Sequence, residues 1–189
     1  MSEQQYIKDQ LIEVAHQTFV RYGFKKTTLD DIAQKFGKGK TAIYYYFNSR
    51  DEIYRAVLDK EVTEALDMLR QATDKVTGDV EKIEAYVEVR LKLSGHTPLL
   101  NEAEHEVRLQ NNEWVDSVQK RFSSQKVEVL SQILAHGIRQ GVFKIEEPEL
   151  AALAIETALK GLERDRLPSG ESALRSEKLL KLLFYGLLQ

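Results

Sequence analysis

Cysteine is absent from the 189 residues, which excludes disulfides, thiolate metal sites and cysteine nucleophiles. Proline occurs three times in a chain rich in Leu, Ala, Glu and Lys, and that scarcity points to helices throughout. No apolar run approaches the roughly 18 residues that span a bilayer. The start, MSEQQYIKDQ, is polar and leads into a helical pattern, unlike a signal peptide. Gly-x-Ser-x-Gly, Walker and Gly-x-Gly-x-x-Gly motifs are also missing, so no enzyme and no cofactor are expected. With 42% hydrophobic and 30% charged residues, the composition is globular, and a cytoplasmic location is expected.

The formal net charge is −3, but it is unevenly spread. Residues 1–50 carry eight Lys/Arg against five Asp/Glu, and residues 51–189 carry nineteen against twenty-five. A basic head on an acidic body suggests that only the head meets a polyanion.

Ile7, Leu11, Val14, Ala15, Thr18, Phe19 and Tyr22 recur every three or four residues. This spacing predicts a first helix over about 3–22 with one buried face, and Gly23 is placed as a left-handed cap. Thr27-Thr28 followed by Asp30-Asp31 predicts a capping box opening a short helix, which buries Leu29, Ile32, Ala33 and Phe36. Gly37 and Gly39 mark a tight break. A third helix over about 40–46 follows, anchored by Ile43 and Phe47, with Tyr46 expected to pack between helices. Ser49 and Glu52 predict a second capping box, opening a long helix to about residue 76. Further helices are read near 79–94, 99–110, 113–141, 147–166 and 172–188. No repeat and no sustained strand pattern interrupts them.

Two short helices about a glycine turn make a helix–turn–helix, whose second helix enters the DNA major groove. Its outward face carries Lys40, Thr41, Ala42, Tyr44 and Tyr45: a cation, small residues that allow close approach, and hydroxyls that can bond phosphate. Residues 5–55 carry Gly23-Phe24, Thr27 through Ala33, Phe36-Gly37, Ala42 through Phe47 and Ser49 through Ile53. In these the chain resembles the DNA-binding domain of TetR-type transcriptional regulators. It departs from their usual pattern at Lys38-Gly39, Thr41-Ala42 and Tyr46, which bears on the operator sequence and not on the fold.

The resemblance implies an all-α homodimer of about nine helices per subunit, with a helix–turn–helix domain at 1–50 and a ligand-binding and dimerisation domain at 51–189. It implies phosphate contacts from Thr28, Lys40, Tyr44, Tyr45 and Arg50, and base readout by Lys38, Lys40, Thr41 and Tyr45. The residues' own chemistry agrees for Lys40, Thr41 and Tyr45. The partners expected are a double-stranded DNA operator, a small-molecule effector and a second copy of the chain, with no membrane.

Beyond residue 55, His136 through Phe143 resembles the turn closing the seventh helix of such regulators. Ala151, Ala154, Ala158 and Gly161 form a small-residue stripe. With Leu179, Leu183 and Leu187 of the final helix they are expected to form a four-helix dimer interface. Met68, Tyr86, Arg90, His105, Leu109, Trp114 and Val118 are candidates to line a site for an amphipathic ligand. Glu13-x-x-His16 and Glu102-x-x-His105 have a di-iron spacing, but the first copy belongs to the head and cannot converge with the second, so no metal is expected. The alternative function is a helical protein-interaction or metal-binding bundle with an incidental helix–turn–helix.

Overall fold

The computed structural model describes residues 2–103 and 113–164, together with Lys178, Lys181 and Leu182. The helices among them are α1 (Glu3–Tyr22), α2 (Leu29–Phe36), α3 (Lys40–Tyr44), α4 (Arg50–Asp74) and α5 (Asp79–Lys92). A 3-10 turn (Leu93–Gly95) precedes α6, which is described over 98–103, and then come α7 (Glu113–Arg139) and α8 (Pro148–Arg164). The fold is all-α, and the described residues contain no strand. Most of the expected helix at 172–188, most of 99–110, and the candidates His105, Leu109, Leu179, Leu183 and Leu187 lie outside the described residues, while Lys178, Lys181 and Leu182 are helical. No helix among the described residues is long and apolar enough to cross a membrane.

Two compact units divide the chain. One draws on Met1–Thr63 and Thr97–Val118, the other on Glu64–His96 and Gln119–Gln189.

In the first unit, Leu11, Ala15 and Phe19 of α1 are fully buried with Ile32, Ile43, Ile53, Val57 and Leu58. Phe19, Phe24 and Tyr54 form an aromatic cluster in which Phe24 stacks on Tyr54 with centroids 4.2 Å apart and Phe19 meets Tyr54 edge-on at 5.2 Å. Tyr22 departs from the periodic reading. It sits at the helix end, 49% exposed, and its ring is covered in part by the Arg21 guanidinium. Gly23 has a positive φ of 78°, but its ψ of 155° is extended rather than left-handed helical. The chain therefore leaves α1 abruptly, and the buried Thr27 hydroxyl donates back to the Gly23 carbonyl at 2.8 Å.

A buried carboxylate ties three helices of this unit together, so α1 with Glu13 and His16 and α6 with Glu102 share one unit, against the expectation that the two Glu-x-x-His segments lie apart. Glu61 of α4 accepts from the amides of Leu99 (3.2 Å) and Leu100 (2.9 Å) in the first turn of α6. There the helix's own carbonyls cannot serve, and Pro98, one residue earlier, has no N–H to satisfy. His16 of α1 meets the same carboxylate through Nε2 at 2.8 Å. Glu13, the other half of that Glu-x-x-His pair, bonds Lys60, and this contact first of all lowers its pKa.

The second unit has a polar knot within an apolar core. The Tyr86 hydroxyl lies 2.6 Å from a Glu156 carboxylate oxygen and 3.0 Å from the Lys126 carbonyl. Arg90 Nε donates to both oxygens of Glu156, at 3.2 and 3.0 Å, and Lys126 Nζ lies 3.4 Å from one of them. All four side chains are buried, so the Glu156 carboxylate meets two cations and a hydroxyl where water cannot solvate it. Burial, and then the Glu156 charge, push the Tyr86 hydroxyl well above its usual pKa. His136 Nδ1 meets the buried Asp79 at 2.7 Å, joining α7 to the first residue of α5.

Candidate nucleic-acid interface

The geometry of the helix–turn–helix begins with α2. Of the two possible capping pairs, Thr28 and Asp31 form the box. The Thr28 hydroxyl accepts from the Asp31 amide (3.2 Å), while the Asp31 carboxylate accepts from the Thr28 amide (2.7 Å) and hydroxyl (2.6 Å). Those bonds hold the Asp31 carboxyl below its usual pKa. The helix ends at Gly37, which is left-handed at φ 71°, ψ 20°. The Lys38 amide returns to the Ala33 carbonyl and the Gly37 amide to that of Gln34, both at 3.2 Å, which is a Schellman closure. This turn sets the angle at which α3 leaves α2.

Gly39 caps α3 without a side-chain bond. The helix is shorter than its sequence suggests, ending at Tyr44. Tyr46 and Phe47 amides both return to the Ile43 carbonyl, at 2.9 and 3.0 Å, so the last turn tightens. Ile43 and Phe47 are buried as anchors. Ser49 caps α4 through its hydroxyl and the Glu52 amide (3.1 Å), but the box does not close on Ser49. Glu52 reaches one residue further back, to the Asn48 amide (2.7 Å) and side chain (3.0 Å).

The anchoring leaves Thr28, Lys38, Lys40, Thr41, Tyr44 and Tyr45 exposed. Tyr45 is 67% exposed and Tyr44 51%, although aromatic side chains ordinarily gain most by burial. Tyr46 is half-buried and packs edge-on against Tyr45. The Tyr45 hydroxyl accepts from Gln4 Nε2 of α1 at 2.9 Å, so its own proton stays available to an outside acceptor. Lys40 Nζ donates to Asp30 at 2.7 Å, and this bond raises the ammonium's pKa. Lys38 lies over the Phe36 ring. Arg50 is engaged inside the head: Nη1 donates to the Thr27 carbonyl at 3.0 Å, and the guanidinium lies 4.2 Å from the Phe24 ring centroid. Gln4 and Asp30 escaped the sequence reading as members of this face. Asp30 drew notice only as a capping carboxylate, and Gln4 carries no local signal.

The ligand candidates are scattered. Tyr86 and Arg90 belong to the Glu156 knot, Met68 is half-buried in α4, and Val118 is buried in α7. Trp114 is half-buried beneath the Arg55 guanidinium and lines a cavity of about 220 Å³ with Phe24, Asp51, Tyr54, Arg55, Ala103 and Val115. Glu156 carries a local sequence signal: it falls in the buried register of α8 with Ala152, Ile155 and Leu159. Of the small-residue stripe, Ala154 and Gly161 are exposed and Ala151 and Ala158 half-exposed. Beside them Leu150 and Leu153 are 58% and 51% exposed.

Comparison with known proteins matches residues 11–57 to the family model for bacterial regulatory proteins of the tetR family. The HTH-type transcriptional regulator TtgR of Pseudomonas putida is 31% identical over 169 residues, covering 86% of this chain and 80% of TtgR. The biofilm operon negative transcriptional regulator IcaR of Staphylococcus epidermidis is 28% identical, covering 61% of this chain and 69% of IcaR. A TetR transcription regulator from Haloarcula marismortui superposes with a TM-score of 0.80 at 20% identity, covering 98% of this chain and 100% of that one. At that identity the likeness speaks for the fold alone.

Proposed function

The chain belongs to the tetR family of bacterial regulatory proteins and is a DNA-binding transcriptional regulator. From that premise we propose that it is a repressor that reads a palindromic operator as a homodimer and releases it when a small molecule binds. The observation that carries this reading is the outward face of α3, where a cation and two large aromatic side chains stand in solvent while Ile43 and Phe47 hold the helix from behind. Residues 1–50 are the reading head in this proposal. Lys40, Thr41, Tyr45 and Lys38 face base edges, and Thr28, Tyr44 and Arg50 face phosphate. Arg50 acts there from the anchored position given by Thr27 and Phe24. The sign of regulation follows that of IcaR, which is named a negative regulator.

Residues 51–189 supply the dimer and the effector site. The exposed Leu150, Leu153 and Ala154 of α8 favour a helix-on-helix interface between copies. An amphipathic effector is proposed to bind within residues 51–189. Two heads on one palindrome must sit about 34–36 Å apart, so an effector that changes their separation by a few ångströms spoils simultaneous docking. A 100-fold loss of operator affinity requires a coupling of about 2.7 kcal/mol, within the usual allosteric range. No catalytic step, metal or cofactor enters the proposal.

Selection from random double-stranded DNA tests the reading. A symmetric site should be enriched, with affinity falling steeply as salt rises. Lys40→Ala should weaken binding to the selected site by roughly 5- to 150-fold. Enrichment of no symmetric site, or unchanged binding by Lys40→Ala, refutes it.

A further inference from the structure

We propose that Asp30 is a specificity-determining residue of the DNA-reading face, turning Lys40 from a phosphate anchor into a base reader. The inference rests on the DNA-binding function of α3 described above and adds a residue to it.

Asp30 is the second residue of α2 and Lys40 the first of α3. The Schellman turn at Gly37 folds the intervening segment so that carboxylate and ammonium meet at 2.7 Å. Both side chains are in solvent, 72% and 44% exposed, so the pair is not part of the core. Nor is Asp30 needed to cap α2, because Thr28 and Asp31 do that. Among the described residues, Lys40 is the one side chain Asp30 bonds.

An ammonium carries three donors. Asp30 takes one, and the two that remain suit the adjacent O6 and N7 acceptors of guanine in the major groove. A phosphate contact has different requirements. To reach the DNA backbone, Lys40 must either leave Asp30 or bring that carboxylate against the phosphates, where like charges repel. Base readout can keep the pair intact. The carboxylate therefore penalises complexes held by phosphate contacts alone more than it penalises the operator complex.

The test uses full-length protein, the selected symmetric site, a variant of it altered at the base pair that Lys40 reads, and unrelated duplex DNA. Asp30→Asn should bind unrelated duplex more tightly. Its salt dependence should steepen by about 0.9 per head on a log–log plot, an extra ~3.5-fold change between 50 and 200 mM salt for each head. Its discrimination against the altered base pair should fall about fivefold or more. Asp30→Glu should restore both, and Asp30→Asn in a Lys40→Ala background should leave discrimination at that base pair unchanged. A merely structural role would weaken all complexes together, with loss of helicity by circular dichroism. Removal of a generic negative charge would tighten all complexes equally and without regard to Lys40. Either pattern overturns the assignment. If the wild type enriches no symmetric site, the DNA-reading function itself fails and this inference with it.

Discussion

Gly137 offers a test in which two physical effects act with opposite sign. It lies inside α7, where replacing glycine with alanine ordinarily stabilises by about 0.5–1 kcal/mol because the unfolded chain loses freedom. After α7, Gly141 takes a positive φ of 73°, and the Val142 and Phe143 amides return to the Gly137 carbonyl at 2.8 and 3.3 Å. That turn lays the Phe143 ring, 3% exposed, on the bare backbone of Gly137. A methyl group there would stand 2.2 Å from one ring carbon and 2.3 Å from the next. The ring would have to retreat by more than an ångström from a packed position, and such overpacking costs about 1–3 kcal/mol. The steric effect wins, so Gly137→Ala should destabilise by about 1–2 kcal/mol net. In a chain of this size that lowers Tm by about 2–4 °C per kcal/mol, measured at one fixed protein concentration because assembly shifts apparent stability. Phe143→Leu removes the ring edge, and in that background Gly137→Ala should cost at least ~0.5 kcal/mol less. A raised Tm for Gly137→Ala, or an equal loss in both backgrounds, refutes the reasoning.

Four further outcomes are expected. Thr28→Ala should cost about 0.5–2 kcal/mol in thermal unfolding through loss of the α2 cap. Because Asp31 has a lowered folded pKa, the capping box should stabilise above the ordinary carboxylate range and weaken as pH falls through that folded pKa, as a pH series of wild type against Asp31→Asn would read. The raised pKa of Tyr86 has the reverse consequence: its contribution is complete below the usual phenolic value of 10.0 and is lost as pH rises through the folded value. Ultraviolet titration should show late tyrosine ionisation together with alkaline unfolding, and Tyr86→Phe should reduce the late step by one tyrosine. Finally, Ala154→Glu on α8 should yield monomers in sedimentation, and an intact dimer would refute the proposed interface.

The head was legible in the sequence because its signals are local. Thr28 and Asp31 are three residues apart, and Gly37 directly follows the last apolar residue of α2. Ile43 and Phe47 repeat at one helical turn, so caps and anchors could be assigned without tertiary knowledge. Even there the local rules had limits. Ser49 and Glu52 have capping-box spacing, yet the Glu52 carboxylate goes to Asn48, since the first turn offers it two neighbouring donors. Tyr22 keeps the α1 register but is left half in solvent at the helix end.

By itself, the sequence determined the helical class, the placement of the helix–turn–helix and the residues of α3 that stand in solvent at its outer face, Lys40, Thr41, Tyr44 and Tyr45, because each depends on contacts within a turn or two of chain. Only the tertiary structure decided what the polar side chains do. Lys40 meets Asp30 and Tyr45 meets Gln4. Glu61 serves the amides at the start of α6, and Glu156 gathers Tyr86, Arg90 and Lys126. Most of these partners lie tens of residues apart, and a buried charge takes whichever counter-charge or amide the packing delivers, because leaving it unmatched away from water costs more than the fold can spare.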